Sequence, residues 1–74
     1  MPSKYKCQFK ANQIVVFEVD KKWAAQYPFE LGERVLFLGE IKQMPGHCIV
    51  VNKAGRVLWG YHTDDFREPK ENEL

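Results

Sequence analysis

His47, Cys48 and His62, with Asp64 and Asp65 just behind the last, are the residues of this 74-residue chain whose types could do chemistry. An imidazole beside a thiolate makes a nucleophile, imidazoles and thiolates together hold metals, and paired carboxylates can divide into an acid and a base. The spacing argues against each reading. Neighbouring residues on a strand point to opposite faces, so His47 cannot easily serve Cys48, and only His62 could approach that thiol from elsewhere. Cys7, His47, Cys48 and His62 contain no CxxC or HxxxH pair, so we expect no metal and no other cofactor, with the histidines closing loops by hydrogen bonding. Adjacent aspartates rarely share one pocket. One of Asp64 and Asp65 is expected to cap a short turn while the other is solvated.

The elements that must carry these groups read as strands. Tyr5, Cys7 and Phe9 alternate with Lys4, Lys6, Gln8 and Lys10, the pattern of a half-buried edge strand within residues 1–12 whose lysines discourage pairing with other molecules. Ala11, Asn12 and Gln13 break the alternation, and Ile14 to Val19 is a second, β-branched strand. Asp20 to Gly32 has no period of two. Asp20 can cap one helical turn over Lys21 to Gln26, which Pro28 ends by disfavouring helical dihedrals at Tyr27. Phe29 and Leu31 are expected inside, and at least one of Trp23 and Tyr27 partly outside.

Arg34 to Ile41 is apolar on both faces, as in the middle of a closed or nearly closed sheet, and Gly39 interrupts it where a bulge is expected. Pro45-Gly46 in the loop Lys42 to His47 is a favoured turn pair. Cys48 to Val51 and Arg56 to Tyr61 then form a hairpin around Asn52 to Gly55. On the second of these strands Val57, Trp59 and Tyr61 share one face and Leu58 the other; the sequence alone leaves open which face turns inward. His62 to Phe66 suits a single 3-10 turn with Phe66 as its anchor. The acidic residues 69–74 are expected to be a frayed, disordered tail.

Composition confines the chain to one domain, residues 1–68, because so short a chain keeps much of its surface in water. Eleven basic and ten acidic residues give a net charge of +1, so an overall basic surface for nucleic acid is missing. Lys4, Lys6, Lys10, Lys21 and Lys22 could still gather locally. Two cysteines are too few for a disulfide framework, and both are expected as buried thiols. No run reaches signal-peptide or membrane-span length, from which we expect a monomeric, cytoplasmic protein of bacterial or phage-like origin with no membrane association.

In layout the chain resembles a Src-homology-3-like (SH3-like) small β-barrel, with LGERV in place of the glycine-acid turn and NKAGRV in place of the tight hairpin. The resemblance covers roughly Ile14 to Glu68 and implies an all-β antiparallel barrel of five to six strands with a short 3-10 turn before the last. It does not extend to the peptide-binding members. Their Ala-Leu-Tyr-Asp-Tyr-like run and tryptophan pair are absent, and His47 and Cys48 stand where the tryptophans would be. A barrel this small is filled by its own side chains and leaves no deep pocket, which disfavours an enzyme. The expected function is a non-enzymatic binding module, an accessory or regulatory subunit that docks on a larger protein through loop aromatics. Its contact residues would be Trp23, Tyr27, Met44, His47, Trp59, Tyr61 and His62, gathered along one groove. The runner-up is a nucleic-acid-binding barrel of KOW or Tudor type, which needs lysine or arginine beside exposed aromatics. A Cys/His metal or catalytic site is the third reading.

Overall fold

The computed structural model describes residues 9–73. Its strands are β1 (Gln13–Phe17), β2 (Arg34–Glu40), β3 (His47–Val51), β4 (Val57–His62) and β5 (Phe66–Arg67). A single helical turn, α1 (Lys21–Ala24), sits in the first long loop, and 3-10 turns occupy Thr63–Asp65 and Glu71–Glu73. The strands form one antiparallel sheet in the order β4-β3-β2-β1-β5.

That order, combined with the chain connection, forces curvature. β4 and β5 lie at opposite edges of the sheet, yet only Thr63–Asp65 separates them in the chain. In a flat five-stranded sheet the outer strands would be about 19 Å apart, at roughly 4.8 Å per strand. A 3-10 turn advances only about 2 Å per residue, so the sheet has to curl until its two edges approach. The turn is held on both sides, with Thr63 N–H donating to the Gly46 carbonyl at 2.8 Å and Glu18 N–H to the Asp65 carbonyl at 2.9 Å. β4 and β5 share no ladder, so the expected barrel is found as a curled five-stranded sheet that hydrogen bonds do not close into a ring. The additional strand expected within residues 1–12 falls mainly outside the described residues.

The concave side holds the core: Phe9, Val15, Phe17, Phe29, Val35, Phe37, Cys48, Val50, Leu58 and Phe66. Phe17 packs on Phe29 with ring centroids 5.0 Å apart, and Phe29 meets Phe66 edge-on at 5.6 Å. Leu31, expected beside Phe29, is instead 43% exposed. Glu33 takes the interior place near the end of this loop. Its buried carboxylate accepts the backbone N–H of Glu30 and that of Lys53, each at 2.9 Å, which ties the long loop to the β3–β4 hairpin. A buried carboxylate satisfied by two amides fixes the geometry of both segments.

Local signals otherwise act as the residue types require. The Asp20 carboxylate accepts the Lys22 N–H at 3.1 Å and starts α1, and Gly46 adopts φ +83° in the Pro45-Gly46 turn. The bulge at Gly39 appears as a shift of the β2–β3 register between Phe37 and Gly39.

On the convex side, Val16 is fully buried although it does not belong to the concave core. Its cross-strand partners are Arg34 and Arg67. Arg67 forks onto the Glu73 carboxylate at 2.6 and 2.9 Å, and Arg34 Nη1 donates to the Glu73 carbonyl at 3.0 Å. Where composition suggested a frayed tail, Glu71–Glu73 forms a turn held by Arg67 and Arg34, the two cross-strand partners of Val16.

Candidate binding site

Gly60 decides which side chains of the hairpin face outward. Val51, Val50 and Ile49 pair with Val57, Leu58 and Trp59, but Cys48 then pairs with Tyr61 and His47 with His62, so β4 carries one extra residue. Gly60, at φ +84°, absorbs it. Strict alternation would place Tyr61 beside Trp59. The bulge instead turns Tyr61 inward with Leu58, against the core, while Val57 and Trp59 stay outside at 50% and 67% exposure.

The outer face of the sheet is consequently apolar across four strands. Ile14 pairs with Leu36, Leu36 with Val51 and Val51 with Val57, which makes one aliphatic row perpendicular to the strands. The next row carries Ile49 opposite Trp59. Trp59 is the most exposed large apolar side chain among the described residues. Contiguous apolar surface of this kind is uncommon on a monomer and marks contact sites.

The third row of the same face is His47 opposite His62, with ring centroids 4.2 Å apart and planes tilted by 46°. His47 Nδ1 lies 3.3 Å from the Pro45 carbonyl oxygen, so this histidine does close its loop as expected.

Tyr27 and Tyr61 meet on the concave side at 6.0 Å. Burial first, and then the charge of the nearby Asp65 carboxylate, raises the Tyr27 phenol above its ordinary value. Asp65 is itself raised, chiefly by burial, against the opposing pull of His62 and of Tyr27. Neither aspartate occupies the cap position of the 3-10 turn, which His62 takes without a side-chain bond.

The seven residues named from the sequence therefore do not line one groove. Tyr27 and Tyr61 pack at the core margin, and His47, His62 and Trp59 share the outer face of the hairpin. Met44 is exposed in the loop before β3, and Trp23 is exposed on α1 with the Lys22 ammonium 5.5 Å over its ring. Cys48 is buried, with Sγ 3.2 Å from the Tyr61 carbonyl and directed away from the outer face. Cys7, Lys4 and Lys6 lie outside the described residues. The aliphatic row was missed because Ile14, Leu36, Val51 and Val57 sit on four strands; only the pairing register brings them together.

Among the described residues, no cluster of three or more histidine, cysteine or acidic side chains could hold a metal ion, and no helix is long and apolar enough to cross a membrane. Comparison with protein-family models, with curated proteins and with solved structures finds no match.

Proposed function

We propose that the chain is a non-enzymatic docking module, an accessory or regulatory subunit that meets a larger protein through the outer face of its sheet with Trp59 as anchor. The observation that carries this reading is the uncovered apolar surface from Ile14 to Trp59, whose central side chains pair in register across four strands. Tryptophan is among the residues enriched at interface hot spots, and aliphatic neighbours that exclude water favour an apolar partner surface over a phosphate backbone. The concave core supports the non-enzymatic reading, since it encloses the Cys48 thiol and leaves His47 and His62 on the opposite face of the sheet. Strand order, the curl that brings β4 near β5 and the single 3-10 turn between them support an SH3-like, partly open barrel as the scaffold.

The contact surface differs from the loop groove expected at first, because Tyr27 and Tyr61 are partly spent on the core. Immobilised parent protein, Trp59→Ser and Trp23→Ser, exposed in parallel to lysate of the native host, test the reading. At least one protein should be retained by the parent and by Trp23→Ser and lost at least tenfold with Trp59→Ser, an anchor loss of about 1.4 kcal/mol or more. A set of retained proteins that does not distinguish Trp59→Ser from the parent, or binding of mixed oligonucleotides at low salt, would overturn it.

A further inference from the structure

We propose that His47 and His62 form a two-histidine chelating site for a divalent transition-metal ion on the outer face of β3–β4. The site does not depend on the docking function.

The first support is geometric. The two residues are direct cross-strand partners, and their rings lie 4.2 Å apart, centroid to centroid. Two imidazole nitrogens bound to one metal at about 2.0–2.1 Å stand roughly 3 Å from each other. Ring nitrogens lie about 1 Å from the ring centre, so modest rotation about the side-chain torsions brings one nitrogen of each ring to that separation. The sheet holds both backbones in place, and little conformational freedom remains to be lost on chelation.

The second support is the partner of the first ring. His47 Nδ1 faces the Pro45 carbonyl at 3.3 Å, an arrangement in which Nδ1–H donates and Nε2 keeps its lone pair. Metal-bound histidines characteristically use the second nitrogen in this way, which fixes the tautomer and orients the ring. His62 is exposed and His47 half-exposed, so an ion reaches both without opening the fold. The Cys48 thiol points to the other side of the strand and is not a ligand.

Two imidazoles with water completing the coordination sphere favour copper(II), then nickel(II) and zinc(II), over magnesium or calcium. With no third protein ligand among the described residues, binding is exchangeable. Ligation requires neutral imidazoles, so acidification competes with the metal.

Trp59 reports occupancy, because it is the neighbouring outward side chain on β4 and paramagnetic ions quench indole fluorescence. In Trp23→Phe it is the sole tryptophan of the chain. Titration of this variant with nickel(II), which avoids thiol oxidation, should quench its emission saturably at one ion per chain, and EDTA should restore it. His47→Asn and His62→Asn, each made in this background and checked for folding by circular dichroism, should weaken the apparent affinity at least tenfold. In the unmodified chain, substoichiometric nickel should broaden the His47 and His62 NMR signals before any others. Either single variant binding nickel as tightly as its parent, or broadening that begins elsewhere, would overturn the assignment.

Discussion

His47 stands directly across the sheet from His62 because Gly60 adds one residue to β4 between Trp59 and Tyr61. The same insertion sends Trp59 to solvent and Tyr61 to the core, so one backbone irregularity sorts four functional candidates onto two faces. Bulges re-aim side chains in this manner, and a left-handed glycine is the residue that makes one inexpensive.

Gly60→Ala tests the dependence on that conformation. An added Cβ meets open space, so the cost is the φ of +84° alone. Chemical denaturation should show a loss of about 1–2 kcal/mol with an unchanged denaturant slope. Gly39→Ala, at a bulge without a positive φ and with equally open surroundings, should be neutral or slightly stabilising. Equal losses at the two sites would mean that the φ of Gly60 is not what matters.

Glu33 is the next weak point. Glutamine preserves its shape, but an amide offers one oxygen where the carboxylate accepts N–H groups from Glu30 and Lys53 on separate oxygens. The NH2 group would then face a backbone N–H, donor against donor, and the loss should be about 1–3 kcal/mol. Hydrogen exchange should also quicken at the Lys53 amide ahead of the β2 amides. An unchanged melting temperature for Glu33→Gln would show that the loop-to-hairpin tie contributes nothing.

The C-terminal turn should respond to acid in a defined direction. Bonds from Arg67 and from the Lys70 N–H lower the Glu73 carboxyl from 4.5 to about 2. A carboxyl whose folded value is depressed stabilises the docked turn fully above the unfolded value, and that stabilisation is lost as pH falls from 4.5 through about 2. The Val16 methyl signals should therefore shift over that acid window in the parent. In Glu73→Gln they should already lie near the acid position at pH 7. Methyl signals flat across the window, with parent and variant alike, would show that the Glu73 bonds to Arg34 and Arg67 do not act on Val16.

Local features were legible from the sequence because their physics is local. The Asp20 cap, the Pro45-Gly46 turn, the Gly39 bulge and the hairpin around Asn52 to Gly55 each follow from residue type and near neighbours. Leu31 and Trp59 were not decided in that way. Leu31 lost the interior to Glu33, whose hydrogen-bond donor, the Lys53 N–H, comes from twenty residues further along the chain. The placement of Tyr61 apart from Trp59 depends on a bulge at Gly60, a strand glycine of the same kind as Gly39; a glycine in a strand can mark a bulge, a bend or nothing, and it does not say which side chain is turned inward. The histidine pair was hidden for the same reason, since metal-ligand spacings within one element do not reveal partners set by strand register.

Cross-strand NOEs along β3 and β4 in solution test the central claim, that one inserted residue divides the hairpin into an outward Trp59–His47–His62 face and an inward Tyr61. The predicted result is His47 opposite His62, Cys48 opposite Tyr61 and Ile49 opposite Trp59. A backbone contact between His47 and Tyr61 would mean an unbulged strand with Trp59 and Tyr61 on one face, and would contradict both the inward placement of Tyr61 and the histidine site.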